Sequence, residues 1–249
     1  MVTPRRHHVV RWPAAGLALA GALQYVPSTV ALGQWGSMEA LPGGWCRWRG
    51  PATSKGVALT FDDGPDPATT PHVLDRLDEL GLTATFFCLG QRVGRHGDLV
   101  AEIRSRGHQV ASHGHRHEHH LARSPRWIVA DLHEAQAAMA AASVPTSWYR
   151  PTYGQATGTT LWAARRQGWQ TLLWSAWGRE WATDDPAEVA ARVGRGLLGG
   201  AVVLLHDTDA SGRPGMWRVG LEALGPIAET LERRGLVAVT VDDLLSATG

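Results

Sequence analysis

Cysteine is scarce in this 249-residue chain, with Cys46 and Cys88 alone, so at most one disulfide can form and no cross-linked framework holds the fold. Free, buried thiols are the expected state of both. Neither sign of charge dominates. There are 24 Lys plus Arg against 23 Asp plus Glu, and the net +1 leaves no broad field for nucleic acid. The chain has no internal repeat and no low-complexity tract. It also lacks a Gly-x-Ser-x-Gly elbow, the usual seat of a serine nucleophile in an α/β hydrolase. Phe and Tyr number three each, whereas Trp reaches 12.

Charge is absent altogether from Trp12 to Met38, and Arg5, Arg6 and Arg11 precede that stretch, the order of an export signal. Its apolar centre, 13–26, falls short of the roughly 20 residues that span a bilayer, and Pro27 follows. A cleaved signal therefore competes with a weak membrane anchor for residues 1–33. Residues 34–54, punctuated by Gly and Pro, read as a connector. Residues 55–249, in a chain that is 44% hydrophobic, suffice for one packed domain.

Within that domain, apolar runs at 57–61, 84–88, 109–112, 148–150, 171–174, 201–205 and 237–241 alternate with helical patterns at 71–80, 99–106, 126–142, 159–167, 186–198 and 221–234. Helix-stopping glycines follow several of them, as at Gly81, Gly107, Gly168 and Gly235. Alternation of this kind makes a parallel sheet wrapped by helices. Seven such units suit a barrel slightly smaller than the eight-fold type, with a doubly wound open sheet as the alternative.

The conspicuous polar residues gather at the carboxyl ends of these strands, the rim where α/β folds build their sites. Asp62 and Asp63 end the first strand, and His113, His115 and His117 follow the third. Arg150 to Gly154 follow the fourth, Glu180 and Trp181 the fifth, and His206 and Asp207 the sixth. Two imidazoles four residues apart can share one ion, and with an Asp they make the donor set of a catalytic zinc-type site. His113/His117 and His115/His119 have this same spacing, so spacing alone leaves both pairs open. Trp177, Trp181 and Trp217 lie near the motifs, placed either to stack on sugar rings or to pack in the core.

Taken together, in order and spacing, these five motifs resemble the polysaccharide deacetylases of carbohydrate esterase family four, the NodB-homology domain, over about 55–245. The resemblance implies a deformed seven-stranded (β/α) barrel, with parallel strands inside and helices outside. It implies one divalent metal ion, zinc first, cobalt or another transition metal next, held by Asp63, His113 and His117. The implied reaction is hydrolytic removal of N-acetyl or O-acetyl groups from an amino-sugar polymer of the cell envelope. A metal-activated water is the nucleophile, Asp62 the base, Arg150 the group orienting it and His206 the general acid. The backbone N–H of Tyr153 faces the oxyanion, and Trp181 borders the substrate. Glu180 stands where the family commonly has Asp as the partner of that histidine, one methylene longer, and Thr152 replaces a frequent proline. An exported, monomeric enzyme with an acetylated glycan as partner follows. A hydrolase of small amides or imides on the same barrel is one rival. A silent carbohydrate-binding module is another, against which the joint presence of Asp62 and His206 argues.

Overall fold

The computed structural model describes residues 45–246 apart from residue 211. Its elements run β1 (Cys46–Arg47), β2 (Gly56–Asp62), α1 (Thr70–Leu80), β3 (Ala84–Cys88), α2 (Gly90–Val93), α3 (Gly97–Ser105) and β4 (Gln109–Ser112). They continue α4 (Pro125–Ala141), β5 (Trp148–Tyr149), α5 (Gly158–Arg166), β6 (Gln170–Leu172), β7 (Ala176–Trp177) and α6 (Pro186–Gly196). β8 (Val202–His206), α7 (Met216–Arg233), β9 (Val237–Ala238) and α8 (Val241–Ser246) complete the chain. The strands are parallel in the order β1-β6-β5-β4-β3-β2-β8-β7, with β9 beside the start of β2. The sheet curls into a half-barrel with the longer helices around it.

The apolar runs become strands because both of their faces are covered. Along β2, Val57, Leu59 and Phe61 join the large core beneath the helices, where α1 delivers Val73, Leu74 and Leu77. Ala58 turns the other way, into an inner cluster with Phe87, Ala111, Trp148, Leu172 and Val202. α8 closes the bottom of that cluster with Val241, Leu244 and Leu245, and its Asp242 accepts from the Trp148 indole at 2.7 Å. Higher on the inner face the residues turn polar, to Thr60 and Asp62 on β2, Arg150 after β5 and His206 on β8.

All seven anticipated strands form, with the last shortened. Thr240 and Asp243 exchange hydrogen bonds at 2.7 and 3.1 Å that start α8 within the range read as strand 237–241. β1 and β7, two residues each, carry too little pattern to be read. α7 begins five residues before its expected start, because Asp209 accepts from the N–H groups of Gly215 and Trp217. Cys46 and Cys88 are free thiols, Cys88 buried and Cys46 half-buried. Residues 1–33, the expected signal or anchor, lie outside the described residues, among which no helix is long and apolar enough to cross a membrane.

The described end of the segment read as a connector belongs to the sheet. β6 and β7 follow one another in the chain but do not pair, so the barrel has a seam. β1 pairs with β6, then Arg49 bridges to Ala201 and the Gly50 N–H donates to Gly200 at 2.7 Å, spanning the seam at its base. Gly200 has φ +79, and a Cβ there would stand 2.4 Å from the Pro51 carbonyl oxygen, so only glycine admits this crossing. A chain starting at residue 52 is expected to melt about 4–8 °C below one starting at residue 45, on the order of 2 kcal/mol. Equal melting temperatures by calorimetry would show that the segment closes nothing.

Candidate active site

Strand alternation would point Asp62 and Asp63 apart, but Asp63 adopts φ 81, and both carboxylates reach one imidazole. His113 Nε2 lies 3.2 Å from Asp63 Oδ1 and 3.8 Å from Asp62 Oδ2. His117 Nε2 also lies 3.2 Å from Asp63 Oδ1. Neither imidazole is aligned as a hydrogen bond, and both oxygens of Asp63 are buried without a hydrogen-bond partner among the described residues. His113 Nδ1 is 2.9 Å from the Arg150 carbonyl oxygen, which fixes the proton on Nδ1 and leaves the Nε2 lone pair facing Asp63. The three donor atoms lie within 4.8 Å of one another. Burial pushes the Asp63 carboxyl up, yet His113, His117 and the charge of His206 outweigh it and hold it well below the usual range. An orphaned buried carboxylate facing two imidazoles fits a divalent metal.

The alternative pair is turned elsewhere. His115 Nε2 faces Glu134 at 3.5 Å, and the His119 ring stacks on Tyr153 at 3.6 Å, with Nδ1 3.0 Å from Gln155 Oε1. The loop owes its shape to Asp131, a buried acid on α4 whose carboxylate accepts from the His115 N–H at 3.0 Å and the Arg116 N–H at 3.2 Å. Arg116 closes over it from outside at 3.1 Å.

Arg150 is fully buried, and none of its nitrogens is idle. Nη1 donates to Asp62 Oδ1 and to Thr60 Oγ1, each at 2.7 Å, while Nε and Nη2 donate to the carbonyls of Leu172 and Leu173. The guanidinium lies 4.0 Å from the centre of the Phe87 ring. Asp62 Oδ2 is thereby left for the cavity. On β8, His206 is the register partner of Asp62. Glu180 Oε1, fully buried, accepts from the His206 N–H at 3.0 Å and lies 3.3 Å from its Nδ1. Burial depresses the imidazolium, but the Glu180 hydrogen bond and charge, with Asp63 and Asp62, raise its pKa to about 9. A cation beside Asp63 would offset that carboxylate's part.

These groups open onto a cavity of about 350 Å³ walled by Trp174, Trp177, Trp181 and Leu204, with Tyr153 and His119 on its other side. Tyr153 has φ 57 and is 42% exposed. Asp62, Asp63, His113, His117, Tyr153, Trp181 and His206 line the cavity, and Arg150 and Glu180 stand behind it. Trp217 does not take part: it packs into the core and stacks on His72 at 5.6 Å. Thr60, Trp174 and Asp131 were not singled out from sequence. Asp131 left a signal, an acid between Ile128 and Leu132 on the buried face of α4.

Metal content after dialysis against a divalent ion is expected to drop to background in His113→Ala and His117→Ala and to persist in His115→Ala and His119→Ala. The reverse pattern would move the centre to the other pair.

The profile of the polysaccharide deacetylases matches residues 49–172. A peptidoglycan-N-acetylglucosamine deacetylase of Bacillus cereus is 33% identical over 210 residues, covering 83% of this chain and 96% of the relative. A chitooligosaccharide deacetylase of Bradyrhizobium is 32% identical over 195 residues, 73% of this chain and 87% of the relative. The crystal structure of a peptidoglycan N-acetylglucosamine deacetylase bound to a naphthyl N-hydroxybenzamide superposes with a TM-score of 0.76 at 25% identity, covering 86% of this chain and 97% of that one. With this fold, these motifs and these relatives, the chain belongs to the polysaccharide deacetylase family.

Proposed function

We propose that the protein is a metal-dependent hydrolase that removes N-acetyl groups from an amino-sugar polymer of the cell envelope. The observation that carries this reading is an acid–base pair on register partners, Asp62 and His206, flanking a His–His–Asp triad in one aromatic-walled cavity. A silent binding module has no use for that pair. The exposed Tyr153 on the cavity wall suits a polymer better than a small amide. The relatives' names, peptidoglycan and chitooligosaccharide deacetylase, support the same substrate class.

Asp63, His113 and His117 would hold the metal, with zinc the first choice for two imidazoles and a carboxylate. When bound it supplies a Lewis acid that polarises the acetyl carbonyl and makes water a better nucleophile at neutral pH. Asp62 takes the proton from the attacking water at Oδ2, while Arg150 holds Oδ1 and keeps the carboxylate aimed. The Tyr153 backbone N–H serves the developing oxyanion. An amine leaves only when protonated, and His206 delivers that proton from Nε2, because Nδ1 faces Glu180. The extra methylene of Glu180 is thus accommodated. Residues 1–33 serve export, as a cleaved signal or an anchor, and place the domain where envelope polymers are.

Asp62→Asn is expected to keep its metal and release acetate roughly 10²- to 10⁴-fold more slowly from an acetylated glycan, with chelator abolishing the parent activity. Near-parental acetate release from Asp62→Asn would overturn this assignment. Glu180 holds the pKa of His206 up, so activity should fall on the alkaline limb as that proton is lost. Glu180→Gln removes the main group raising this pKa, and its alkaline limb should shift toward lower pH, with Glu180→Asp in between. Superimposable pH–rate profiles for parent and Gln variant would leave His206 without its partner.

A further inference from the structure

A second pocket, of about 380 Å³, shares Trp177 with the catalytic cavity and is lined by Arg179, Arg192, Arg195 and Ser175. In a chain of net charge +1, three guanidinium groups around one recess are a local arrangement. Arg192 is already engaged, donating to the carbonyls of Gly178 and Arg179 at 3.4 and 3.2 Å and pairing with Glu188 at 2.5 Å. It shapes the loop. Arg179 and Arg195 form no ion pair among the described residues. Arg179 adopts φ 56, a conformation that a long side chain takes only when its surroundings impose it, and its guanidinium lies 5.3 Å from the centre of the Trp177 ring. Trp177, which lines both recesses, thus carries a cation against its ring.

We propose that this pocket binds a carboxylate carried by the glycan, on a sugar unit next to the one held in the catalytic cavity, with Arg179 and Arg195 as its ligands. A guanidinium fork matches a carboxylate in geometry and charge, and the shared Trp177 makes the two recesses neighbours along one strand. The inference rests on the deacetylase reading and sharpens it. Peptidoglycan carries carboxylates, on its stem peptides or, where the peptide has been removed, on the lactyl group, whereas chitooligosaccharides carry none, so the pocket selects the acidic polymer.

Acetate release by the full chain is measured on an uncharged N-acetylglucosamine oligomer, on a peptidoglycan fragment with free carboxylates, and on that fragment methyl-esterified. The same substrates are given to Arg195→Gln and to Arg179→Asn/Arg195→Gln, Asn being tolerated at positive φ. Esterification is expected to raise KM of the parent about tenfold, and the double variant to raise KM for the free acid by a similar factor. The double variant should also be blind to esterification, with kcat and the KM for the uncharged oligomer unchanged. Fragments trimmed of peptide separate a lactyl from a peptide carboxylate. If neither esterification nor the substitutions move KM while acetate is released, the pocket assignment falls and the deacetylase reading stands. If no substrate yields acetate, the deacetylase reading fails. Calorimetric titration of the free and esterified fragments then decides the pocket, and equal affinities in parent and double variant overturn it.

Discussion

Two neighbouring carboxylates buried at the end of one strand are the constraint to which the upper half of the barrel answers. A buried charge is tolerated only when paired and hydrogen-bonded, and Asp62 and Asp63 are 3% and 0% exposed. Each is answered from a different direction. Arg150 reaches Asp62 from β5 across the interior, and the carbonyls of Leu172 and Leu173 at the end of β6 saturate that guanidinium. Asp63 faces the imidazoles of His113 and His117 from the loop after β4, a donor set that a cation would complete. Compensating these charges thus ties β2, β4, β5 and β6 at their carboxyl ends, the register in which the site is built.

The histidine loop extends the same logic one layer outward. Asp131 is itself buried, and burial pushes its carboxyl up despite the hydrogen bonds from His115, Arg116 and the Arg116 guanidinium. It receives two of the three backbone N–H groups lying between His113 and His117, those of His115 and Arg116. The spacing of four residues brings two imidazoles together here through a fixed turn, with Gly114 at φ +82, where an added Cβ would stand 3.3 Å from the Asp131 carboxylate.

What could be read in the sequence follows from how much of each element is repeated pattern. β2, β3 and β8 are runs of five to seven residues, buried almost throughout, and stand out in any apolar count. β1 and β7 owe their existence to partners far along the chain, which a local pattern does not contain. Asp62, His206 and Glu180 stand out in motif order, and the fold brings the first two to one cavity with Glu180 behind it. The choice of His117 over His115 comes from the family resemblance and not from spacing, because it depends on where Asp131 and Glu134 of α4 pull the loop. Of the two places open to Trp217, the fold takes the core: α7 carries it onto His72, away from the cavity.

The inner face of the barrel is graded, apolar at the level of Ala58, Trp148 and Val202 and polar at the level of Asp62, Arg150 and His206. Robustness and chemistry are thereby lodged in different storeys of one interior. Changes among the lower side chains alter how firmly the shell holds, and changes above alter what it does, with Thr60 as the landing between them. A lineage can harden such a scaffold to heat or retune it to another glycan by separate steps, each largely invisible to the other.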